Sequence, residues 1–227
     1  GSFGLDGITT GSTNYETGLS PEEEAKIIEE ELGNLRNYLN NLNTIFQQEQ
    51  FDIEGLKLLT PKVFRDSRGY FFESYNKKSF KETTQLDINF VQDNQSLSLK
   101  DVLRGLHYQS YPYDQGKLVR VVQGKIFDVA VDIRKSSKTF KQWIGVELSS
   151  ENQKQFWIPS GFAHGYLVLS ENACISYKTT NYYSSENEHT IIWNEPSIGI
   201  NWPNTGSKIL SEKDKSGLDI NKCELFN

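Results

Sequence analysis

Lys125-Ile126-Phe127-Asp128-Val129-Ala130-Val131-Asp132-Ile133 is the stretch on which the fold turns. Its residues alternate, with Phe127, Val129, Val131 and Ile133 on one face, which is the two-residue period of a β-strand. Shorter runs of the same texture lie at 69–75, 103–109, 117–123, 144–148, 155–158, 166–169 and 173–178. Turn residues separate them, such as Gln123-Gly124, Ser149-Ser150-Glu151-Asn152 and Pro159-Ser160-Gly161. Many short strands at near-regular spacing predict an all-β sandwich or barrel. Within this region helical patterning is confined to short pieces, at 77–84 and towards the chain end.

The N-terminal part reads differently. Residues 1–19 are rich in Gly, Thr and Ser without periodicity and are expected to form a flexible tail. Ser20-Pro21-Glu22-Glu23 is a capping box, with Ser at the cap, Pro at the first helical position and Glu three residues after the cap. Apolar residues then recur at Ala25, Ile28, Leu32, Leu35, Leu39, Leu42 and Phe46, in alternating steps of three and four. That heptad seam predicts an amphipathic or coiled-coil helix over 20–48, about 40 Å long. The helix either lies on its own domain or forms a short coiled coil between subunits. The expected division is therefore a tail at 1–19, a helical extension at 20–50 and a β domain at 51–227.

Composition removes several classes of function. Aromatic residues make up 12% of the 227, which excludes wholesale disorder. Two cysteines, Cys174 and Cys223, exclude a disulfide scaffold and a four-Cys zinc site. A net charge of -6 disfavours general nucleic-acid or anionic-membrane binding, although a local basic pocket remains compatible with it. No apolar run approaches the roughly 20 residues that span a bilayer. Gly1-Ser2 reads as a scar of tag removal, with no apolar signal segment behind it. A cytoplasmic protein is expected.

Few residues are available for chemistry, because the chain has only three histidines. Leu103-Arg104-Gly105-Leu106-His107-Tyr108-Gln109 sets Arg and His in an apolar strand, which is costly unless those groups are used. Strict alternation sends Arg104 and His107 to opposite faces, but Gly105 offers a bulge that shifts the phase. Taken alone, His107 serves as a structural histidine as readily as a catalytic one. Lys117 enters an apolar strand; pointing inward it suggests an anionic ligand, and at a strand end it is simply solvated. His164 sits in Gly161-Phe162-Ala163-His164-Gly165, and Tyr177-Lys178-Thr179-Thr180-Asn181-Tyr182-Tyr183 supplies phenols after a strand. His189 lies in a polar stretch expected to be exposed, and is a poor catalytic candidate.

Eight strings, in order across about 160 residues, resemble the dTDP-4-dehydrorhamnose 3,5-epimerases of the cupin superfamily. They are Phe64-Arg65-Asp66-Ser67-Arg68-Gly69-Tyr70-Phe71-Phe72-Glu73, Gln92-Asp93-Asn94, Leu103-Arg104-Gly105-Leu106-His107, Gln115-Gly116-Lys117-Leu118-Val119, Gly161-Phe162-Ala163-His164-Gly165, Tyr177-Lys178 with Asn181-Tyr182-Tyr183, Trp193-Asn194, and Leu210-Ser211-Glu212-Lys213-Asp214. The resemblance implies a cupin-type jelly-roll barrel carrying an N-terminal helical extension and a few short helices. It also implies His107 as general base, Asp214 as the group orienting it, and Tyr177 as the acid on the opposite side of the sugar. Lys117 and Arg104 match residues around the reacting ketone. Arg68, Glu73, Gln92, Asn94, His164, Glu188 and Lys213 match substrate-contacting positions, and Tyr183 matches an aromatic that stacks on thymine.

The implied substrate is a dTDP-linked 4-keto-6-deoxyhexose, and the residues suit it. A C4 ketone acidifies the hydrogens at C3 and C5, because removing either gives an enolate at O4. Inversion then needs a base on one face, a donor on the other and positive charge at O4. No cofactor is expected. The His-x-His pair of metal-binding cupins is missing, since Tyr108-Gln109 follows His107, and there is no Gly-x-Gly-x-x-Gly fingerprint for NAD. The resemblance further implies a homodimer that shares parts of its sites. Two other readings stand beside double epimerisation: a single-centre epimerase on another nucleotide-linked keto sugar, and a non-catalytic sugar-nucleotide-binding cupin.

Overall fold

The computed structural model describes residues 19–43 and 45–227, without the side chains of 36–43. Two units divide at Asn43, and each is taken by itself. The first is helix α1, Pro21–Asn43. Its N-terminus is the capping box: the Glu23 amide donates to Ser20 Oγ at 3.3 Å, and Ser20 N–H donates to Glu23 Oε2 at 2.8 Å. The bonds that Ser20 donates to Glu23 Oε2, through its N–H and its hydroxyl, hold that carboxyl below its ordinary range. Ile28, Leu32 and Leu35 are each more than half exposed, so the described part of the seam faces solvent. The tail expected over 1–19 falls, up to residue 18, outside the described residues.

The helix expected over 20–48 stops short. Phe46–Gln50 is a strand, β1, and Phe46 is 1% exposed among Leu59, Phe80, Leu118 and Trp157. Asn40, Asn41 and Asn43 are weak helix formers. Burying the Phe46 ring contributes roughly 2–3 kcal/mol, more than one further helical turn can offer. The boundary expected at 50/51 therefore lies at 43/44.

The strands that follow are β2 (Lys57–Pro61), β3 (Phe64–Asp66), β4 (Gly69–Phe71), β5 (Gln92–Leu99), β6 (Leu103–Gln109), β7 (Lys117–Gln123), β8 (Lys125–Asp132), β9 (Trp143–Ser149), β10 (Gln155–Ile158), β11 (Phe162–Val168), β12 (Asn172–Thr179) and β13 (Glu188–Thr190). Helices α2 (Lys77–Thr84) and α3 (Glu212–Lys215) and a 3-10 turn at Ile220–Lys222 complete the unit. One sheet runs β1-β2-β10-β7-β12-β5 and the other β13-β6-β11-β8-β9, while β3 and β4 form a separate hairpin. The two large sheets close on a shared core that includes Leu58, Val119, Val121, Phe156 and Ile175 from one and Ile126, Ala130, Leu148, Phe162 and Val168 from the other. This is the jelly roll of a cupin.

The deciding stretch, β8, is buried on both faces. Ile126 and Ala130 enter the shared core, whereas Val129, Val131 and Ile133 pack outward with Leu106, Tyr108 and Ala163 against Ile191, Ile198 and Ile220. C-terminal segments thus cover what a two-sheet sandwich would leave wet. No helix among the described residues is long and apolar enough to cross a membrane.

Candidate active site

Two opposed walls build the site. His107 stands on β6 of the five-stranded sheet, while Lys117 on β7, Tyr177 on β12 and Gln92 and Asn94 on β5 belong to the six-stranded sheet. All five line one cavity of about 140 Å³, joined by Gln109, Gln115, Tyr183 and Glu188. The register explains how β6 serves this wall. His164 on β11 pairs with His107, but Tyr166 pairs with Arg104, so β6 carries one extra residue between them. That bulge returns Arg104 and His107 to the same face, which strict alternation forbids. Gly105 permits it: its φ is +126°, and a Cβ there would lie 2.6 Å from the Gly165 Cα.

Asp214 braces the histidine. Its Oδ1 lies 2.7 Å from His107 Nε2 and accepts the Gly105 N–H at 3.1 Å, while Ser211 Oγ donates to Oδ2 at 2.7 Å. Burial alone would raise this carboxyl; the bonds from His107 and Ser211, with the Gly105 amide, overcome it and hold the pKa at about 2. An ionised carboxylate only accepts, so His107 carries its proton on Nε2 and leaves Nδ1 as a free base. Burial depresses His107 below its ordinary value, the Asp214 bond works against this, and the charges of Lys117 and Lys213 add to the depression.

Lys117 has its pKa brought down to about 8 by burial, against the opposing charges of Asp128 and Glu188. Tyr177 is pushed above the usual phenol range by burial, then by Tyr166 and Glu188, with Arg104 acting the other way. It therefore keeps its proton until a stronger base forms nearby. At the mouth, Glu188 accepts from Tyr183 OH at 2.8 Å and is ion-paired to Lys213, and the Tyr183 amide donates to Gln92 Oε1 at 3.1 Å. Burial would raise the Glu188 carboxyl, but those partners hold it below its ordinary value.

Not every residue named from the sequence meets at this cavity. Arg104 is exposed and donates through Nε to Ser98 Oγ on β5 at 3.1 Å. His164 is 8% exposed and its Nε2 sits 2.9 and 3.0 Å from the Asp128 carboxylate oxygens, off the cavity lining. Arg68 lies on the β3–β4 hairpin, paired with Asp66 at 2.5 Å, and Glu73 accepts from Asn76 Nδ2 at 2.9 Å. Neither lines the cavity of its own chain. His189, expected to be exposed, is half-buried and stacks on Tyr108 with ring centroids 5.1 Å apart.

Asp128 is the functional candidate that the sequence reading passed over. It is fully buried, and the signal was present: a carboxylate within a strand of Ile, Phe, Val and Ala needs a partner. Gln109 and Gln115 left no such signal, because a strand-end glutamine is ordinary.

The chain is similar to known proteins along most of its length. A model of the dTDP-4-dehydrorhamnose 3,5-epimerase family matches residues 50–222. The dTDP-4-dehydrorhamnose 3,5-epimerase of Shigella flexneri is 56% identical over 175 residues, covering 77% of this chain and 96% of that protein. That of Pseudomonas aeruginosa is 54% identical over 174 residues, with the same two coverages. Among solved structures, the dTDP-6-deoxy-D-glucose-3,5-epimerase of Legionella pneumophila Philadelphia 1, in complex with dTDP-4-keto-L-rhamnose, superposes with a TM-score of 0.77 at 49% identity. That match covers 79% of this chain and 95% of the Legionella chain. With His107 and Asp214 facing Lys117 and Tyr177 across the cavity of a jelly roll, this chain belongs to the dTDP-4-dehydrorhamnose 3,5-epimerase family.

Proposed function

We propose that the chain inverts C3 and C5 of dTDP-4-keto-6-deoxyglucose, giving dTDP-4-keto-rhamnose for dTDP-rhamnose synthesis, without a cofactor. The observation that carries this is the placement of His107 and Tyr177 on opposed sheets around one cavity, with Lys117 lining the same cavity from the strand beside Tyr177. His107 Nδ1 takes the proton at C3 or C5, and the C–H electron pair enters the ring as an enolate whose charge rests on O4. Asp214 stabilises the imidazolium that results. Lys117 faces O4 as an ammonium and, with Arg104, offsets the oxyanion. Tyr177 delivers its proton to the other face of the same carbon, and both side chains then re-equilibrate with solvent before the second centre reacts.

Arg68, Glu73, Gln92, Asn94, His164, Glu188 and Lys213 bind the substrate on this reading, and Tyr183 stacks on the thymine. Arg68 and Glu73 lie outside their own cavity, which fits a homodimer in which the hairpin completes the site of a second copy. Phe64, Tyr70 and Phe71 on that hairpin and Leu97 and Leu99 on edge strand β5 are all more than half exposed, an apolar surface suited to such a contact. Helix α1 supplies a further contact between copies. The reading keeps the cytoplasmic setting expected from the sequence.

The test is turnover in deuterium oxide followed by proton NMR. Deuterium entering both C3 and C5, with a rhamno-configured product after reduction, is the expected result. Label at one centre alone would make the chain a single-centre epimerase, and no label with tight nucleotide binding would make it a binding cupin.

A further inference from the structure

We infer that α1 pairs with α1 of a second copy, and that the two helices run antiparallel. This rests on the reading of α1 as a contact between copies, and adds its geometry. The helix is 23 residues long, about 35 Å, with its N-terminus fixed by the capping box. Ile28, Leu32 and Leu35, on one seam, are 53–56% exposed, and Ile27 beside them is 44% exposed. Such a stripe on a helix of otherwise polar residues is an unfilled knobs-into-holes surface.

Charge then selects the occupant's direction. Residues 21–31 hold six glutamates and one lysine, a net of -5, whereas residues 32–43 hold no acid and one arginine, a net of +1. Parallel helices would set the acidic half beside the acidic half of the other copy. Antiparallel helices set each acidic half beside the half that carries Arg36, and also oppose the two helix dipoles. The seam tolerates this direction fully. Position 25 of one copy faces 42 of the other, 28 faces 39, and 32 faces 35, so apolar meets apolar throughout. Glu29 and position 36, at equivalent flanking places of the heptad, then lie on the same side of the seam, two residues out of level.

Three heptads are marginal as a free pair, but copies already held together through their β domains raise the effective concentration of the second contact. The same charge pattern would also draw a basic helix of another protein, an alternative that the experiment separates.

The test uses the full chain with Cys174 and Cys223 replaced by Ser, once that background is shown to turn over substrate. Ala25→Cys and Leu42→Cys variants are mixed, oxidised mildly, and their disulfide-linked peptides identified by mass spectrometry. Linkage of position 25 to position 42 is expected in about tenfold or greater excess over 25–25 and 42–42 linkage, and Leu32→Glu in both variants should remove it. Predominant 25–25 linkage would overturn the direction while sparing the contact. No linkage of any kind, in protein whose helix is intact by circular dichroism, would overturn both.

Discussion

Burial strips His107 of proton affinity while Asp214 returns only part of it, so the imidazole is neutral at pH 7 and fit to act as a base. Lys117, by contrast, must stay protonated in the proposed mechanism to face the enolate, and its pKa of about 8 leaves little margin. The turnover rate should therefore rise with pH through a value below the ordinary histidine pKa of about 6.5, and fall above about 8. A rate that stays level to about pH 9.5 would remove Lys117 from the oxyanion role. Asp128 is the carboxylate that most supports the Lys117 ammonium. Asp128→Asn should thus move the alkaline limb to lower pH, by about one unit, as well as slowing turnover. An unmoved limb with lower activity would leave Asp128 a purely structural partner of His164. Neither effect was legible from strings of residues. The pairing of His107 with a carboxylate 107 positions away, and of His164 with one on a neighbouring strand, exists only in the folded sheet.

At the scale of elements, β6 and β11 show how a single glycine sets the site. Gly105→Ala would add a Cβ against the Gly165 backbone at a φ that side chains avoid, at a cost of about 3 kcal/mol or more. Melting should fall by roughly 6–12 °C, with turnover lost even in the folded fraction. An unchanged melting temperature would mean that the bulge relaxes freely. The junction between α1 and β1 makes a second prediction. Removing residues 1–43 should leave the β domain folded and active, whereas removing 1–50 takes away β1 and the buried Phe46 and should lower stability by about 3–5 kcal/mol. Equal melting temperatures for the two truncations would make β1 dispensable. Strands with clean alternation or continuous apolar runs were readable in the sequence; β1 and β5 were not. Gln92–Leu99 is largely polar because it is an edge strand whose inward residues are Gln92 and Asn94 at the cavity and Ser96 and Ser98 at the Tyr166 hydroxyl, so it lacks the apolar period that marks a core strand.

For the whole molecule, the proposed site is shared between copies. Mixing inactive His107→Ala with a weakly active Arg68→Ala protein should restore activity, because a mixed dimer holds one site with both native residues. No recovery after subunit exchange, verified by mass, would confine each site to one chain. The sequence by itself determined the β class, the capped N-terminal helix and the strings that carry the family resemblance, because period, caps and turns act over a few residues. It did not determine where the helix ends, since Phe46 continues a heptad as well as it fills a core. The folded chain decided that, along with the covering of both faces of β8 and the gathering of His107, Lys117 and Tyr177 from three strands. It also left Arg68 and Glu73 outside the cavity that their own chain forms. Those outcomes depend on which surfaces meet at long range, and packing settles them by burying the most apolar area while giving each buried charge a partner.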